Sequence, residues 1–395
     1  MTRTELARLA EGRSVYPVAL TQAEAAALNR SRLVTAQPDV DGWRVTAEYA
    51  VGAIRRGDLV VRVTPKIGVV QVLTLLARAY GIRGLQLDPS LVELSPEADL
   101  SNVLAVLFAQ EAAGAMAGGP LRGYRTEDQT LPVLRGRVRL REQHLRRYGL
   151  LVPLEVTVDE WTLDTDENRR IRAATERLLA LADVPPPTRV GLLRLDRTLH
   201  EAGLPPRGAL LVPWVPTRLN VRLHRLLHLA DLVLAHTSVE HEAGSTQTHG
   251  FVINMAWLFE KLVEQLLLER YPGLKPQDDQ PLDVLDRLHI KPDLVFYDED
   301  GPIAVADTKY KLLGAKGEFP NPDAYQLVTY CSRLGLGTGH LIYAAGEPRP
   351  EPFEILGAGV RLVIHSVDIS RPVSDIEVRV AELGQAITAV PSLVS

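Results

Sequence analysis

Cysteine is almost absent from this sequence, since Cys331 is the only one among 395 residues. A single thiol cannot build an internal disulfide framework, and such cysteine usage is typical of a reducing cytoplasm. No apolar run approaches the length of a membrane span, and the first residues lack the apolar core of a signal peptide. We therefore expect a cytoplasmic protein without a membrane partner.

A phosphate-binding loop of the form G-x-x-x-x-G-K-[ST] is also missing from the chain. The segment "GAKGEF" has a glycine and a lysine but lacks the required spacing. Any movement driven by nucleotide hydrolysis must therefore be supplied by another protein.

Charge of one sign does not dominate, because the net charge is −5 and charged residues make up 24% of the chain. Arginines are nevertheless concentrated, with eight of them in residues 121–150. Four alternate with other residues in "LPVLRGRVRLRE": Arg135, Arg137, Arg139 and Arg141. In a strand all four would project from one face. That face is either a solvated surface or a surface that binds DNA or an acidic partner. A second arginine-rich segment, residues 186–225, favours the functional alternative.

The chain is long enough for two or three domains, and its patterns divide it into three regions. Residues 1–98 mix short strands with helices, one of which begins at a capping box formed by Thr21 and Glu24. Residues 99–245 are predicted to be mainly helical, with the arginine-rich strand among the helices. Residues 246–395 alternate strands with helices, which predicts an α/β sandwich.

The segment "IKPDLVFYDEDGPIAVADTKYKL" predicts a hairpin that carries charges in its strands. "DEDG" is a strong turn signal, and Pro302 is expected in the loop because proline cannot donate to a ladder. Pairing Tyr297 with Ile303 then places Asp293 opposite Asp307. Because side chains alternate along a strand, Lys309 shares the face of Asp307.

Two carboxylates this close repel each other unless a cation lies between them. Oxygen ligands without nearby cysteine or histidine favour Mg²⁺, with Mn²⁺ as a possible substitute. A bound Mg²⁺ can activate a water for attack on a phosphodiester, and Lys309 can orient that water or neutralise the scissile phosphate. The alternative is a simple ion pair between Asp307 and Lys309 on a hairpin edge, since Asp-x-Lys alone is common.

The order Pro-Asp, hairpin and Asp-x-Lys resembles the signature of the PD-(D/E)xK nuclease fold. The resemblance implies that Glu260, on the preceding helix, is an additional metal ligand, although a surface glutamate is an equal alternative. It also implies that Gln326 and Tyr330, the Q-x3-Y pattern on the following helix, touch the site or the DNA backbone; Tyr330 is alternatively a core aromatic. The expected fold is multidomain α/β, with a mixed α+β N-terminal half and a C-terminal PD-(D/E)xK restriction-endonuclease-like α/β/α sandwich.

Further segments extend the likeness, namely "LVVRVTPKIG", "LPVLRGRVRLRE", "DENRRIRAATERLL" and "NMAWLFEKLV". Together with the hairpin they resemble the McrC family, the nuclease subunits of McrBC-type modification-dependent restriction systems. The resemblance implies a hexameric AAA+ GTPase partner of the McrB type, docked by residues 1–98. It also implies a double-stranded DNA substrate that carries modified cytosine.

Two other functions remain open at this point. One is a non-catalytic adaptor or activator that holds an AAA+ partner; the collected carboxylates argue against it, because a scaffold does not need them. The other is a stand-alone repair nuclease, against which the long N-terminal half without its own motor argues.

Overall fold

The computed structural model describes residues 3–82, 100–181, 184–206, 212–240, 248–312, 321–345 and 352–389. The chain divides into two compact units, of which the first combines Met1–Leu100 with Phe251–Ser395 and the second is Ser101–Gly250. Within those ranges, no helix has both the length and the apolar character that crossing a membrane requires.

The N-terminal segment of the first unit consists of a 3₁₀-helix (Arg3–Arg8), short strands and two α-helices. Their bounds are β1 Leu9–Ala10, β2 Ser14–Val18, α1 Gln22–Ser31, β3 Thr35–Asp39, β4 Gly42–Thr46, β5 Ala50–Arg56, β6 Leu59–Thr64 and α2 Val69–Ala79. Strands β2, β4 and β3 form one small sheet, and β1, β6 and β5 belong to another. The capping box is confirmed: the Thr21 side chain accepts from the backbone of Glu24, whose carboxylate accepts from the backbone of Thr21.

Within the residues described, the second unit contains five α-helices, one short 3₁₀-helix (Val221–Leu223) and four strands. In chain order these are α3 Leu100–Ala115, β7 Gly123–Leu131, β8 Arg137–Val138, α4 Leu140–Arg147, β9 Leu154–Thr162, α5 Asp166–Leu179, α6 Pro186–Thr198, α7 His224–His236 and β10 Thr237–Glu240. Helix α5 packs against α6 and α7. Strands β7 and β9, which pair along nine residues, have no counterpart in the mainly helical region that the sequence predicts.

The prediction that one strand carries all four arginines is wrong. Only Arg137 and Val138 pair with β9, whereas Arg135 precedes the strand, Arg139 caps α4 and Arg141 lies within α4. The chain turns at Gly136, whose φ is +70°, and a Cβ there would lie 2.2 Å from the carbonyl oxygen of Thr157. This close approach ends the alternation that would have placed all four arginines on one face.

The C-terminal segment of the first unit alternates strands with helices. It comprises β11 Thr248–Asn254, α8 Met255–Leu268, β12 Leu274–Pro276, β13 Gln280–Pro281, β14 His289–Ile290, β15 Leu294–Tyr297, β16 Pro302–Leu312, α9 Asn321–Leu334, β17 Thr338–Ala345, β18 Phe353–Ile355, β19 Val360–Ser366 and α10 Val373–Thr388. Six strands form one sheet in the order β12–β15–β16–β17–β19–β18. Strands β16, β17 and β19 are parallel, and β12, β15 and β18 are antiparallel to their neighbours.

Helix α9 covers this sheet with an apolar stripe. Leu327, Tyr330 and Cys331 are buried at helical spacing and join Val305 and Leu341 in one core cluster. Helices α8 and α10 pack against each other and against β16. The result is a mixed α/β arrangement whose central strand, β16, is contacted by three helices.

The N-terminal and C-terminal segments of the first unit share one sheet, because β5 neighbours β11. The strands approach most closely at Gly52, where an added Cβ would lie 2.0 Å from the carbonyl oxygen of Phe251. Helix α2 also packs on α8, and the Arg78 guanidinium pairs with Glu269 at 2.7 Å. The predicted division sets residues 1–98 apart from residues 246–395, whereas here the two segments form one compact unit.

The register of the hairpin follows the predicted count in its strands and departs from it at the turn. Leu294 pairs with Ala306 and Phe296 with Ala304, as expected for antiparallel pairing. The prediction that Pro302 lies in the loop is wrong, since this residue begins β16 and pairs with Tyr297 next to a register shift. The shift is confined to the end nearest the turn, so it leaves Asp293 opposite Asp307.

Candidate functional site

Charged side chains collect where β15 begins and β16 reaches its middle. Asp293 directly precedes β15, and continuing the register by one pair from Leu294 and Ala306 places it opposite Asp307. Asp307 and Lys309 follow Val305 at intervals of two, so all three project toward the face that α9 covers. Strand alternation together with the antiparallel register therefore accounts for this part of the site.

Asp307 and Lys309 form an ion pair at the centre of the cluster. The Asp307 residue is 2% exposed, and its Oδ2 contacts the Lys309 ammonium. The same ammonium donates to Oε1 of Gln326 at 3.0 Å. The Gln326 amide donates to the Tyr330 hydroxyl at 2.6 Å, so both members of the Q-x3-Y pattern connect to Lys309.

Asp293 and Glu260 are held by a second set of donors. The backbone N–H and the hydroxyl of Thr308 each donate to Oδ2 of Asp293 at 2.8 Å. The side-chain amide of Gln277 donates to Oδ1 of Asp293 at 3.0 Å and to Oε1 of Glu260 at 2.5 Å. One amide thus bridges two carboxylates that come from different elements of the fold.

The electrostatics of the cluster disfavour full ionisation of its carboxyls. Burial, followed by the charge of Asp293, raises the pKa of Asp307 to about 7, although Lys309 opposes this shift. Burial and the charges of Asp293, Glu264 and Asp307 raise the pKa of Glu260 to about 7, against the hydrogen bond from Gln277. Burial lowers the pKa of Lys309, but Asp307 and its neighbouring carboxylates outweigh burial and the net shift is upward.

The chemistry of these donors fits a hard cation. Glu260, Asp293 and Asp307 offer only oxygen, and a divalent ion would stabilise the ionised carboxylates that burial and, after it, mutual repulsion disfavour. Each carboxylate instead faces a donor from the chain, namely Gln277, Thr308 or Lys309. In this arrangement no group of three or more His, Cys, Asp or Glu side chains within the described ranges forms a ready metal site.

The structure brings together six of the candidates that the sequence selects. These are Glu260, Asp293, Asp307, Lys309, Gln326 and Tyr330. The four arginines belong to the second unit. There Arg135 pairs with Glu160 at 3.0 Å and Arg139 with Asp128 at 3.1 Å, which makes both part of a local ion-pair network.

Three polar residues of the site escape sequence reasoning. Gln277 and Thr308 hold Asp293, and buried Asp323 accepts from the Lys311 ammonium at 3.2 Å and from the Tyr343 hydroxyl at 2.9 Å. Thr308 lies inside the Asp-x-Lys motif, and Asp323 lies three residues before Gln326 on the same helix, so both had a local signal. Gln277 had none, because only the folded chain places it beside Glu260.

Comparison with known proteins identifies the group to which the chain belongs. A family model described as "McrBC 5-methylcytosine restriction system component" matches residues 45–344. The chain belongs to the McrBC family. The matched range contains every residue of the carboxylate cluster and begins within the N-terminal segment. No curated protein matches this McrBC-family chain.

Two solved structures resemble this McrBC-family chain. One is a chain of the refined half-complex from a tetradecameric assembly of Thermococcus gammatolerans McrB AAA+ hexamers with bound McrC. It is 18% identical, with 98% of this chain and 100% of that chain covered and a TM-score of 0.59. The other, from the cryo-EM structure of the Thermococcus gammatolerans McrBC complex, is 19% identical, with 66% and 86% covered and a TM-score of 0.42. At this identity the first match establishes a shared fold.

Proposed function

We propose that this chain is the McrC-type nuclease subunit of its restriction system, a Mg²⁺-dependent endonuclease acting on cytosine-modified double-stranded DNA. The observation that carries the proposal is the placement of Asp293 opposite Asp307, with Lys309 on the same strand face. The order of helix, antiparallel strands, helix and parallel strand around this hairpin agrees with a PD-(D/E)xK nuclease domain. Concentrating repelling carboxylates in a buried place is costly for folding, which favours a catalytic role over a scaffold.

The division of labour among the residues follows from their contacts. Asp293, Asp307 and Glu260 supply the oxygen ligands for Mg²⁺, which when bound lowers the pKa of a water and stabilises the charge of the leaving oxygen. Lys309 presents an ammonium that orients the attacking water or neutralises the scissile phosphate. Gln326 positions that ammonium, and because its amide N–H₂ donates to Tyr330, its carbonyl oxygen faces Lys309.

A partner that hydrolyses nucleotide is the second part of the proposal. In the second unit, apolar side chains around α4 lie in solvent, with Tyr148 91% and Leu151 84% exposed. We call this the α4 surface: Leu140, Leu145, Tyr148, Leu150, Leu151 and Val152. A contiguous apolar segment of this kind is typical of a protein interface. We assign to it the docking of an AAA+ partner of the McrB type, rather than to residues 1–98.

The test is DNA cleavage by the purified full-length chain, with and without the co-purified AAA+ partner, GTP and Mg²⁺. We expect cutting of DNA that carries 5-methylcytosine only when all components are present. Nucleotide-independent cutting by the chain alone would instead support a stand-alone nuclease. Partner stimulation without any cutting would support the adaptor.

A further inference from the structure

A cavity of about 470 Å³ lies at the carboxyl ends of the parallel strands β16, β17 and β19, within the first unit. Its walls include Tyr310 and Lys311 from β16, Asp368 after β19, and Tyr49 and Lys66 from the N-terminal segment. Open α/β sheets commonly bind ligands at this edge, and the volume lies within the range of small-molecule sites. Residues outside the C-terminal segment thus complete a pocket beside the nuclease strand.

Two tyrosine rings form the aromatic part of the cavity. Tyr49 and Tyr310 meet edge to face, with centroids 6.1 Å apart and planes at 86°. The Tyr310 hydroxyl donates to the buried carboxylate of Glu11 at 2.7 Å, which fixes this ring. Tyr49 is 45% exposed and therefore retains ring surface on which a flat molecule can stack.

Among the charged groups of the cavity, Lys311 and Asp368 have ion-pair or hydrogen-bond partners, and Lys66 differs from them. Lys311 pairs with Asp323, and Asp368 accepts from both the backbone and the hydroxyl of Ser370. Lys66 is exposed, and within the described ranges its ammonium has no ion-pair or hydrogen-bond partner. Its backbone N–H donates to Glu11, the residue that also fixes Tyr310. The cavity therefore combines stacking surface with one cation available to an anion.

We propose that this cavity binds one nucleotide unit, with the base stacked on Tyr49 and a phosphate at Lys66. A base offers a π-face, and a phosphate offers the anion that an unengaged ammonium attracts. Lys311 lies two positions beyond Lys309 on β16, about 6.6 Å along the strand at the usual rise per residue. The occupant is therefore a nucleotide of the DNA strand that neighbours the cleaved bond. The assignment of DNA as its source rests on the proposed nuclease function.

The test measures binding of a fluorescein-labelled DNA duplex to the full-length chain, with Ca²⁺ in place of Mg²⁺ so that the DNA stays intact. Tyr49→Ala is expected to weaken binding by about 5- to 150-fold, the worth of one stacked base, whereas Tyr49→Phe keeps the ring and stays within about twofold. Lys66→Ala is expected to reduce the slope of log affinity against log salt by about 0.9. Lys275→Ala is the matched control, because Lys275 lies over the Tyr297 ring at 4.1 Å and outside the cavity.

Thermal unfolding of each variant shows whether the fold is retained, and cross-linking of 5-iododeoxyuridine-containing DNA to the unmodified chain provides an independent readout.

Cross-links at Tyr49 or Tyr310 support the proposal, and cross-links found only elsewhere overturn it. Wild-type affinity and salt slope in both Tyr49→Ala and Lys66→Ala also overturn it. Loss of binding of free deoxynucleoside monophosphate by these variants, with DNA binding unchanged, would overturn it as well, because the cavity would then take a free nucleotide rather than DNA. Loss of cleavage in Asp307→Asn together with unchanged DNA binding in Tyr49→Ala would overturn the cavity assignment while leaving the nuclease intact.

Discussion

At the scale of single residues, Gln277 is expected to stabilise the site because its side-chain amide donates to both Asp293 and Glu260. Removing this donor leaves two close carboxylates without their shared hydrogen bonds. We predict that Gln277→Ala lowers the free energy of unfolding by about 1–3 kcal/mol in metal-free buffer at pH 8, above the pKa of about 7 of Glu260. Mg²⁺ is expected to restore much of the loss, because a cation screens the same pair.

The measurement is urea unfolding with and without Mg²⁺. Gln277→Asn is the matched control: Gln277 has a φ of +49°, a conformation that asparagine tolerates well, so this variant changes the reach of the amide rather than the backbone. Equal free energies of unfolding for the wild type and Gln277→Ala without metal would show that the hydrogen bonds from Gln277 to Asp293 and Glu260 do not stabilise the fold.

The raised pKa values of Asp307 and Glu260 predict that cation binding depends on pH. Both values are about 7, so below pH 7 each carboxyl holds a proton that a cation must displace. Apparent Mg²⁺ affinity should therefore fall as pH drops below 7, by up to about tenfold per pH unit for each displaced proton. Calorimetry in two buffers of different ionisation heat should detect proton release at pH 7 and little at pH 9.

Glu260→Gln is the informative variant for this dependence, since it removes one of the two titrating carboxyls. It should release fewer protons than the wild type at the same pH. Mg²⁺ affinity that stays constant between pH 6 and pH 8 would mean that the cluster does not titrate with the metal.

At this scale, the positions of the site residues could be predicted where strand alternation and helical spacing govern the outcome. Asp293, Asp307 and Lys309 converge because a two-residue period and an antiparallel register determine their positions. Gln277 could not be found in this way, because its contact with Glu260 joins residues 17 positions apart across an irregular turn. Contacts of that kind depend on tertiary packing, which local patterns do not encode.

At the scale of elements, the α4 surface stands out in the second unit because its apolar side chains are exposed to solvent. We predict that Tyr148→Ser combined with Leu151→Ser weakens binding of the AAA+ partner at least about tenfold, because exposed apolar anchors carry much of an interface's energy. The fold should survive, since both side chains lie mostly in solvent.

Binding is measured by calorimetry or by co-elution with the partner. Val40→Ser is the control, because Val40 is 92% exposed in the first unit and outside this surface. Undiminished partner binding by the double variant would move the docking site elsewhere, with residues 1–98 as the remaining sequence-based candidate.

The elements also show where local signals suffice. The capping box at Thr21 begins a helix because both reciprocal hydrogen bonds close within four residues. The arginine-rich strand failed because its alternation says nothing about Gly136, where the chain turns beside Thr157. Two of the four arginines also meet acidic partners, Glu160 and Asp128, from neighbouring strands. The ion pairs with residues of β7 and β9 therefore determine where these two side chains lie, which the sequence pattern does not indicate.

At the scale of the whole molecule, the first unit is built from both ends of the chain. The shared sheet requires a glycine at position 52, and the Arg78 guanidinium reaches Glu269 across the same interface. The sequence divides these segments because local patterns do not report pairing between residues about 200 positions apart. The N-terminal segment is thus structural support for the strand that carries Asp307, and it also supplies Tyr49 and Lys66 to the adjacent cavity.

The central claim, that the Asp307 cluster is a nuclease centre, is tested most directly by single-turnover cleavage of methylated DNA with the AAA+ partner, GTP and Mg²⁺. Asp307→Asn and Lys309→Ala should each lower the cleavage rate at least about 100-fold while assembly with the partner is retained. Asp300→Asn, in the exposed turn of the same hairpin, should cut like the wild type. Near-normal cutting by Asp307→Asn and Lys309→Ala would contradict the account and place the chemistry elsewhere.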